Sequence, residues 1–204
     1  MSDPEAAPPA ALVRAAGLAC RRAGREIFRN VALAVRPGEA LLLRGPNGSG
    51  KSSLLRVLAG LLEPAAGELE LVDAADGGPG WHYIGHADPL KPGLTVEENL
   101  AFTSALTGAA DVEAGLAAFA LTRLAEAPAR QLSSGQRRRL TLARLGAVAK
   151  PIWLLDEPAV GLDAANRDRL LALVAAHRDA GGAVIAATHG DVTIADARVL
   201  ELGR

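Results

Sequence analysis

Ala40-Leu41-Leu42-Leu43-Arg44-Gly45-Pro46-Asn47-Gly48-Ser49-Gly50-Lys51-Ser52-Ser53-Leu54-Leu55 is the stretch from which the rest of the chain is read. Ala40 to Leu43 is a continuous apolar run of the kind found in a buried strand. The spacing G-x-x-x-x-G-K-S follows. Its glycines let the backbone curl so that successive N–H groups point inward at phosphate oxygens. Ser52 to Gly60 then reads as a helix closed by glycine, with its positive end aimed at the same place. Lys51 can reach the β- and γ-phosphates of a nucleotide, and the Ser52 hydroxyl can bind Mg²⁺. The expected binding set is Gly45, Pro46, Asn47, Gly48, Ser49, Gly50, Lys51, Ser52 and Ser53, and the expected ligands are ATP and Mg²⁺. A chance glycine-rich turn is the bland alternative. The strand before and the amphipathic helix after argue against it.

Ile152-Trp153-Leu154-Leu155-Asp156-Glu157 is a second apolar strand, and it ends in two carboxylates. Asp156 is placed to hold Mg²⁺ through water, and Glu157 to polarise the attacking water. Ligands in open α/β sheets bind outside such strand ends. Alone, this pattern is a strand leaving the core; beside the phosphate loop it reads as catalytic.

The flanking elements agree. Leu12 to Arg21 and Asn30 to Val35 alternate as strands, and Pro37-Gly38 makes a turn. Gly67 to Leu71 and Trp81 to Ile84 are short strands, and from Thr95 to about Ala127 the pattern turns helical. Thr95-Val96-Glu97-Glu98 fits a capping box. Ser134 to Val148 and Arg167 to Ala180 read as helices, and Ala183 to Thr188 and Arg198 to Leu202 as strands. The order predicts an α/β core with an inserted helical subdomain over about 88–145. Residues 1–10, rich in Ala and Pro, are expected to form a frayed end, and 11–204 a single domain.

Composition bounds the function. Half of the 204 residues are hydrophobic, enough for one full core, and the net charge of −1 gives no basic field pointing to nucleic acid. Cys20 is the one cysteine, so no disulfide forms within the chain. No apolar run reaches the roughly 18–20 residues that span a bilayer, and the acidic start lacks the basic region of a signal peptide.

Leu132-Ser133-Ser134-Gly135-Gln136 precedes the helix with Arg137-Arg138-Arg139-Leu140. Physically it is another glycine-containing helix N-terminus and so a candidate anion site; in isolation an ordinary Ser cap is the better explanation. Here the chain resembles the nucleotide-binding subunits of ABC transporters. The segment looks like their LSGGQ signature, with Ser134 in place of the first glycine. Pro158-Ala159-Val160-Gly161-Leu162-Asp163 is similar to their D-loop, with Asp163 the matching acid. His189 matches the switch histidine that contacts the γ-phosphate. The resemblance implies a P-loop NTPase (RecA-like) core with an N-terminal antiparallel β region and an inserted α-helical subdomain. It implies ATP hydrolysis coupled to transport by Glu157, His189 and Lys51, with Mg²⁺ at Ser52 and Asp156. It also implies a head-to-tail homodimer around two ATP, in which Ser133 and Gly135 of one subunit complete the other's site. Integral membrane permease subunits would be its partners, at the cytoplasmic face of the bacterial inner membrane.

Two positions depart from the family pattern. No aromatic stands in the turn Arg21-Arg22-Ala23-Gly24, where a base-stacking ring is expected; Phe28 is the nearest ring, and core packing accounts for it equally. His86 stands where the family carries a glutamine. Gly85-His86, followed by Lys91-Pro92-Gly93-Leu94-Thr95, resembles the haem-exporter ATPases of cytochrome c maturation. His86 is a candidate Mg²⁺ ligand, direct or through water, or a coupling residue that touches no nucleotide. The alternatives are another small ABC exporter or a non-transport ABC ATPase. The short interval Ser53 to Gln131, without heptads, speaks against the coiled-coil DNA-repair type. The signature and His189 speak against a P-loop kinase.

Overall fold

Strand β3 (Ala40–Arg44) carries the phosphate loop into helix α1 (Lys51–Leu58), as the apolar run and the glycine spacing require. The computed structural model describes residues 10–74, 78–105, 110–188, 190 and 192–203. The expected frayed end therefore lies outside the described residues, apart from Ala10.

Before the loop come β1 (Val13–Arg22) and β2 (Arg25–Val35), and after α1 comes β4 (Ala66–Leu71); the three form an antiparallel sheet in the order β2-β1-β4. β2 begins five residues earlier than its apolar alternation suggests. Arg22 pairs with Arg25 across a two-residue turn in which Ala23 (φ 47) and Gly24 (φ 77) are both left-handed. Such a turn matches strand twist, but alanine at its first position is an unusual choice, which hides it from composition.

The second sheet is parallel. It contains β5 (Trp81–Ile84), β6 (Ile152–Asp156), β7 (Ala183–Ala187) and β8 (Arg198–Glu201), in the order β5-β6-β7-β3-β8. Its runs are apolar on both faces because both faces are covered. Leu41, Leu43, Ile152, Leu154 and Ile185 face α1 and the antiparallel sheet. Leu42, Trp153, Leu155, Val184 and Ala186 face the helical block. Leu54 and Leu55 of α1 are fully buried; each contributes roughly 1.5–3 kcal/mol relative to exposure.

The helical block is α2 (Val96–Ala105), α3 (Val112–Ala118), two 3₁₀ turns and α4 (Ser134–Ala147). The single helical stretch expected from Thr95 to Ala127 is thus divided. α3 has its own cap, Asp111 accepting from the Ala114 N–H at 2.9 Å, and it ends at Phe119, whose ring is fully buried. The expected capping box is present: Thr95 N–H donates to Glu98 Oε2 at 2.8 Å and Glu98 N–H to Thr95 Oγ1 at 3.1 Å. Helix α5 (Ala164–Asp179) starts three residues before the expected Arg167, because Asp163 caps it.

Candidate functional site

The sheet order puts the site together. β7 lies between β3 and β6, and Ala187 is in register with both Leu43 and Asp156. Residues just past these three positions therefore rise on one edge: the phosphate loop, Asp156-Glu157 and Thr188. His189, two residues beyond Ala187, lies outside the described residues.

The loop's backbone carbonyls and amides are tied to its own side chains and to one another. Lys51, 7% exposed, donates from Nζ to the Gly45 carbonyl at 2.8 Å and the Pro46 carbonyl at 3.2 Å. Ser49 N–H donates to the Pro46 carbonyl at 3.2 Å. Gly45 has φ +141, and a Cβ there would collide with the Leu202 carbonyl and lie 2.7 Å from Ser49 Oγ. Only glycine fits.

Ser52 Oγ donates to Asp156 Oδ1 at 2.9 Å across the sheet edge, and Asp156 is 2% exposed. Glu157 follows with a left-handed backbone, φ 49, and its N–H donates to the Ala187 carbonyl at 3.0 Å. A cavity of about 480 Å³ opens over the loop, and Arg22, Ile27, Lys51, Ser52, His86 and Glu157 are among its walls. His86 and Glu157 thus share that wall with the loop. Phe28 is not in that wall. It is 6% exposed and packs in the core, and Arg22 and Ile27 face the cavity instead.

The signature segment lies elsewhere. Ser133 caps α4 in a full capping box: Gln136 N–H donates to Ser133 Oγ at 3.2 Å, and Ser133 N–H donates to Gln136 Oε1 at 2.8 Å. Ser133, Gly135, Gly161, Asp163 and Asn166 line a separate cavity of about 160 Å³. Asn166 donates to the Asp163 carboxylate from its backbone and its side chain, at 2.9 and 2.8 Å, and these bonds hold that carboxyl below the usual range. The two cavities share no wall residue.

A wider cavity, about 540 Å³, opens at the opposite edge of the parallel sheet, where the Trp153 and His177 rings stack with centroids 3.8 Å apart. None of the expected site residues lines it. Among the described residues no cluster of three metal-ligating His, Cys, Asp or Glu side chains occurs. No helix among them is long and apolar enough to cross a membrane.

Residues 28–160 match the family described as ABC transporter. The chain belongs to the ABC transporter family. It is 51% identical over 193 residues to "Cytochrome c biogenesis ATP-binding export protein CcmA" of Rhodospirillum rubrum, covering 91% of this chain and 83% of that one. It is 46% identical to the protein of the same name from Paracoccus denitrificans, covering 91% and 86%. Among solved structures it is similar to an ATP-binding subunit of an ABC transporter, with a TM-score of 0.77 and 26% identity over 88% of this chain and 80% of that one. It is also similar to a dimeric ATP-binding cassette in a post-hydrolysis state bound to ADP and Pi, with a TM-score of 0.78 and 25% identity over 93% and 94%. The fold of this ABC transporter subunit is the expected one, and its activity is ATP hydrolysis coupled to transport.

Sequence reading missed Arg138, which is 4% exposed between two arginines that are not buried. A signal existed: positions 138, 142 and 145 share one helix face, and Leu142 and Leu145 are core residues.

Proposed function

We propose that this chain is the ATP-hydrolysing subunit of an exporter that serves cytochrome c biogenesis, with haem as the cargo and membrane subunits that handle it. The observation that carries the ATPase mechanism is the meeting of Lys51, Ser52, Asp156 and Glu157 at one sheet edge, joined by the 2.9 Å Ser52–Asp156 bond. The cytochrome c assignment rests on the Gly85-to-Leu100 segment and on the relatives' names.

In this reading the loop N–H groups and Lys51 grip the β- and γ-phosphates. Lys51 exchanges its carbonyl partners for phosphate oxygens. Glu157 aligns and polarises the attacking water, and His189 supports the γ-phosphate. His86, in the same cavity wall, faces the phosphates or carries their state to the membrane subunits. The residues present fit Mg²⁺, because the Ser52 hydroxyl and the Asp156 carboxylate are converging oxygen donors of the hard type that the ion prefers. Bound there, it would neutralise charge on the phosphates. Catalysis is then positioning and electrostatics.

The separation of the two cavities supports a head-to-tail dimer. Ser133 and Gly135 do not line the phosphate-loop cavity of their own chain, and in this reading each closes the partner's site beside Asp163. The dimer would sit on the cytoplasmic face of the inner membrane.

Glu157→Gln tests the mechanism. ATP binding is expected to persist while hydrolysis slows by roughly 10²-fold or more; normal turnover removes Glu157 from its role. A deletion strain tests the pathway. Loss of c-type cytochromes by haem staining is expected, and normal maturation defeats the assignment.

A further inference from the structure

Arg138 is a buried cation whose every donor group is engaged. Nε donates to the Pro158 carbonyl at 3.3 Å. Nη1 donates to the Gly85 carbonyl at 2.8 Å and to Asp88 Oδ1 at 3.2 Å. Nη2 donates to the Asp156 carbonyl at 3.3 Å and the Glu157 carbonyl at 2.8 Å. One guanidinium thus holds three successive carbonyls of the catalytic turn on one side and the segment bearing His86 on the other. Burying such a charge costs several kcal/mol unless it is paired and hydrogen-bonded. Core filling alone would be served as well by leucine or methionine, and the same face of α4 carries Leu142 and Leu145.

The grip falls on a strained residue. Glu157 adopts φ 49, a left-handed conformation that is unfavourable for a non-glycine residue. Backbone direction sets where the carboxylate points. The peptides on either side of Glu157 are held: its N–H donates to the Ala187 carbonyl, and its carbonyl accepts from Arg138 Nη2 and from the Val160 N–H at 3.3 Å. Arg138 stands five positions into the chain beyond Ser133, the cap of the same helix. A displacement of α4 or of the His86 segment therefore reaches Glu157 through one side chain.

We propose that Arg138 is a positioning residue for hydrolysis, aiming the Glu157 carboxylate and coupling it to the Gly85–Asp88 segment and to the signature helix. The inference rests on the reading that Glu157 aligns the attacking water. Lysine offers three donors on one nitrogen and cannot span both sides at once, so Arg138→Lys keeps the buried charge and loses the span.

The test uses the full-length chain and measures ATP turnover, equilibrium ATP affinity and thermal melting for Arg138→Lys, Glu157→Gln, the double variant and Asp88→Asn. Arg138→Lys is expected to lower kcat about tenfold or more, with KM and ATP affinity within about threefold of wild type. In the Glu157→Gln background it is expected to add nothing, because the two act as one unit. Wild-type kcat in Arg138→Lys beside a slow Glu157→Gln overturns this inference alone, as does a multiplicative loss in the double variant. Wild-type turnover in Glu157→Gln defeats the reading beneath it. If Arg138→Lys melts far below wild type, Asp88→Asn carries the test. A severalfold fall in kcat at unchanged ATP affinity supports the coupling, and an unchanged kcat overturns it.

Discussion

Gly45 shows how tightly a single residue is specified. Its φ of +141 excludes a side chain, and the Leu202 carbonyl and Ser49 Oγ occupy the space that a Cβ would need. Leu202 N–H also donates to the Arg44 carbonyl at 2.8 Å, so the chain's last strand is tied to the loop's first turn. Gly45→Ala must shift the backbone that presents N–H groups to phosphate. ATP affinity is expected to fall by at least 10-fold, with ΔΔG of unfolding about 1–3 kcal/mol, read by nucleotide titration and denaturant melts. The same geometry explains Lys51. Its Nζ is held over the Gly45 and Pro46 carbonyls at the mouth of the site, so little side-chain entropy remains to be lost when phosphate arrives.

Between elements, the joint of β5 with the end of α4 is pH-sensitive. His82 of β5 is 1% exposed, and its Nε2 lies 2.8 Å from the Val148 carbonyl that follows α4. Burial lowers its pKa from 6.5 to about 4, with Arg144 and Lys150 adding to the effect and the carbonyl opposing it. The neutral ring donates from Nε2, leaving Nδ1 buried without a hydrogen-bond partner. Burial lowers His177 to about 4 as well. The unfolded chain binds protons more readily than the native one between about pH 6.5 and 4. Stability is therefore fully present above pH 6.5 and lost progressively down to pH 4. His82 accounts for up to roughly 3 kcal/mol of that loss. Urea melts across this range check it, and His82→Gln is expected to flatten the slope.

At the scale of the whole molecule, the proposed head-to-tail dimer makes each chain half of two sites. Lys51→Ala removes one half and Ser133→Ala the other. Each variant alone is expected to be nearly inactive. The Ser133 change also costs α4 its cap, about 1 kcal/mol. Mixed in equal amounts, the two variants regain an intact site in every mixed dimer, so roughly a quarter of wild-type turnover is expected. ATPase assays on mixtures measure this. No regain on mixing indicates that the site is complete within one chain.

The phosphate loop, the Asp156-Glu157 strand end and the Ser133 cap were legible in the sequence because each is a local demand. Glycine spacing, strand length and a serine before a helix restrict the backbone within a few residues, whatever surrounds them. The α/β class and the inserted helical block followed from the order of such segments. The tertiary structure alone decided the rest. Placing β7 between β3 and β6 is a matter of non-local pairing, and it alone brings Ser52 within 2.9 Å of Asp156, 104 positions later. Phe28 turned into the core, whereas Arg22 and Ile27 face the cavity over the phosphate loop. Of three consecutive arginines, Arg138 alone is buried, because the rotation of α4 against the sheet assigns that position to the interior. The only local mark of which arginine that packing selects is the spacing of Arg138 to Leu142 and Leu145 on one helix face.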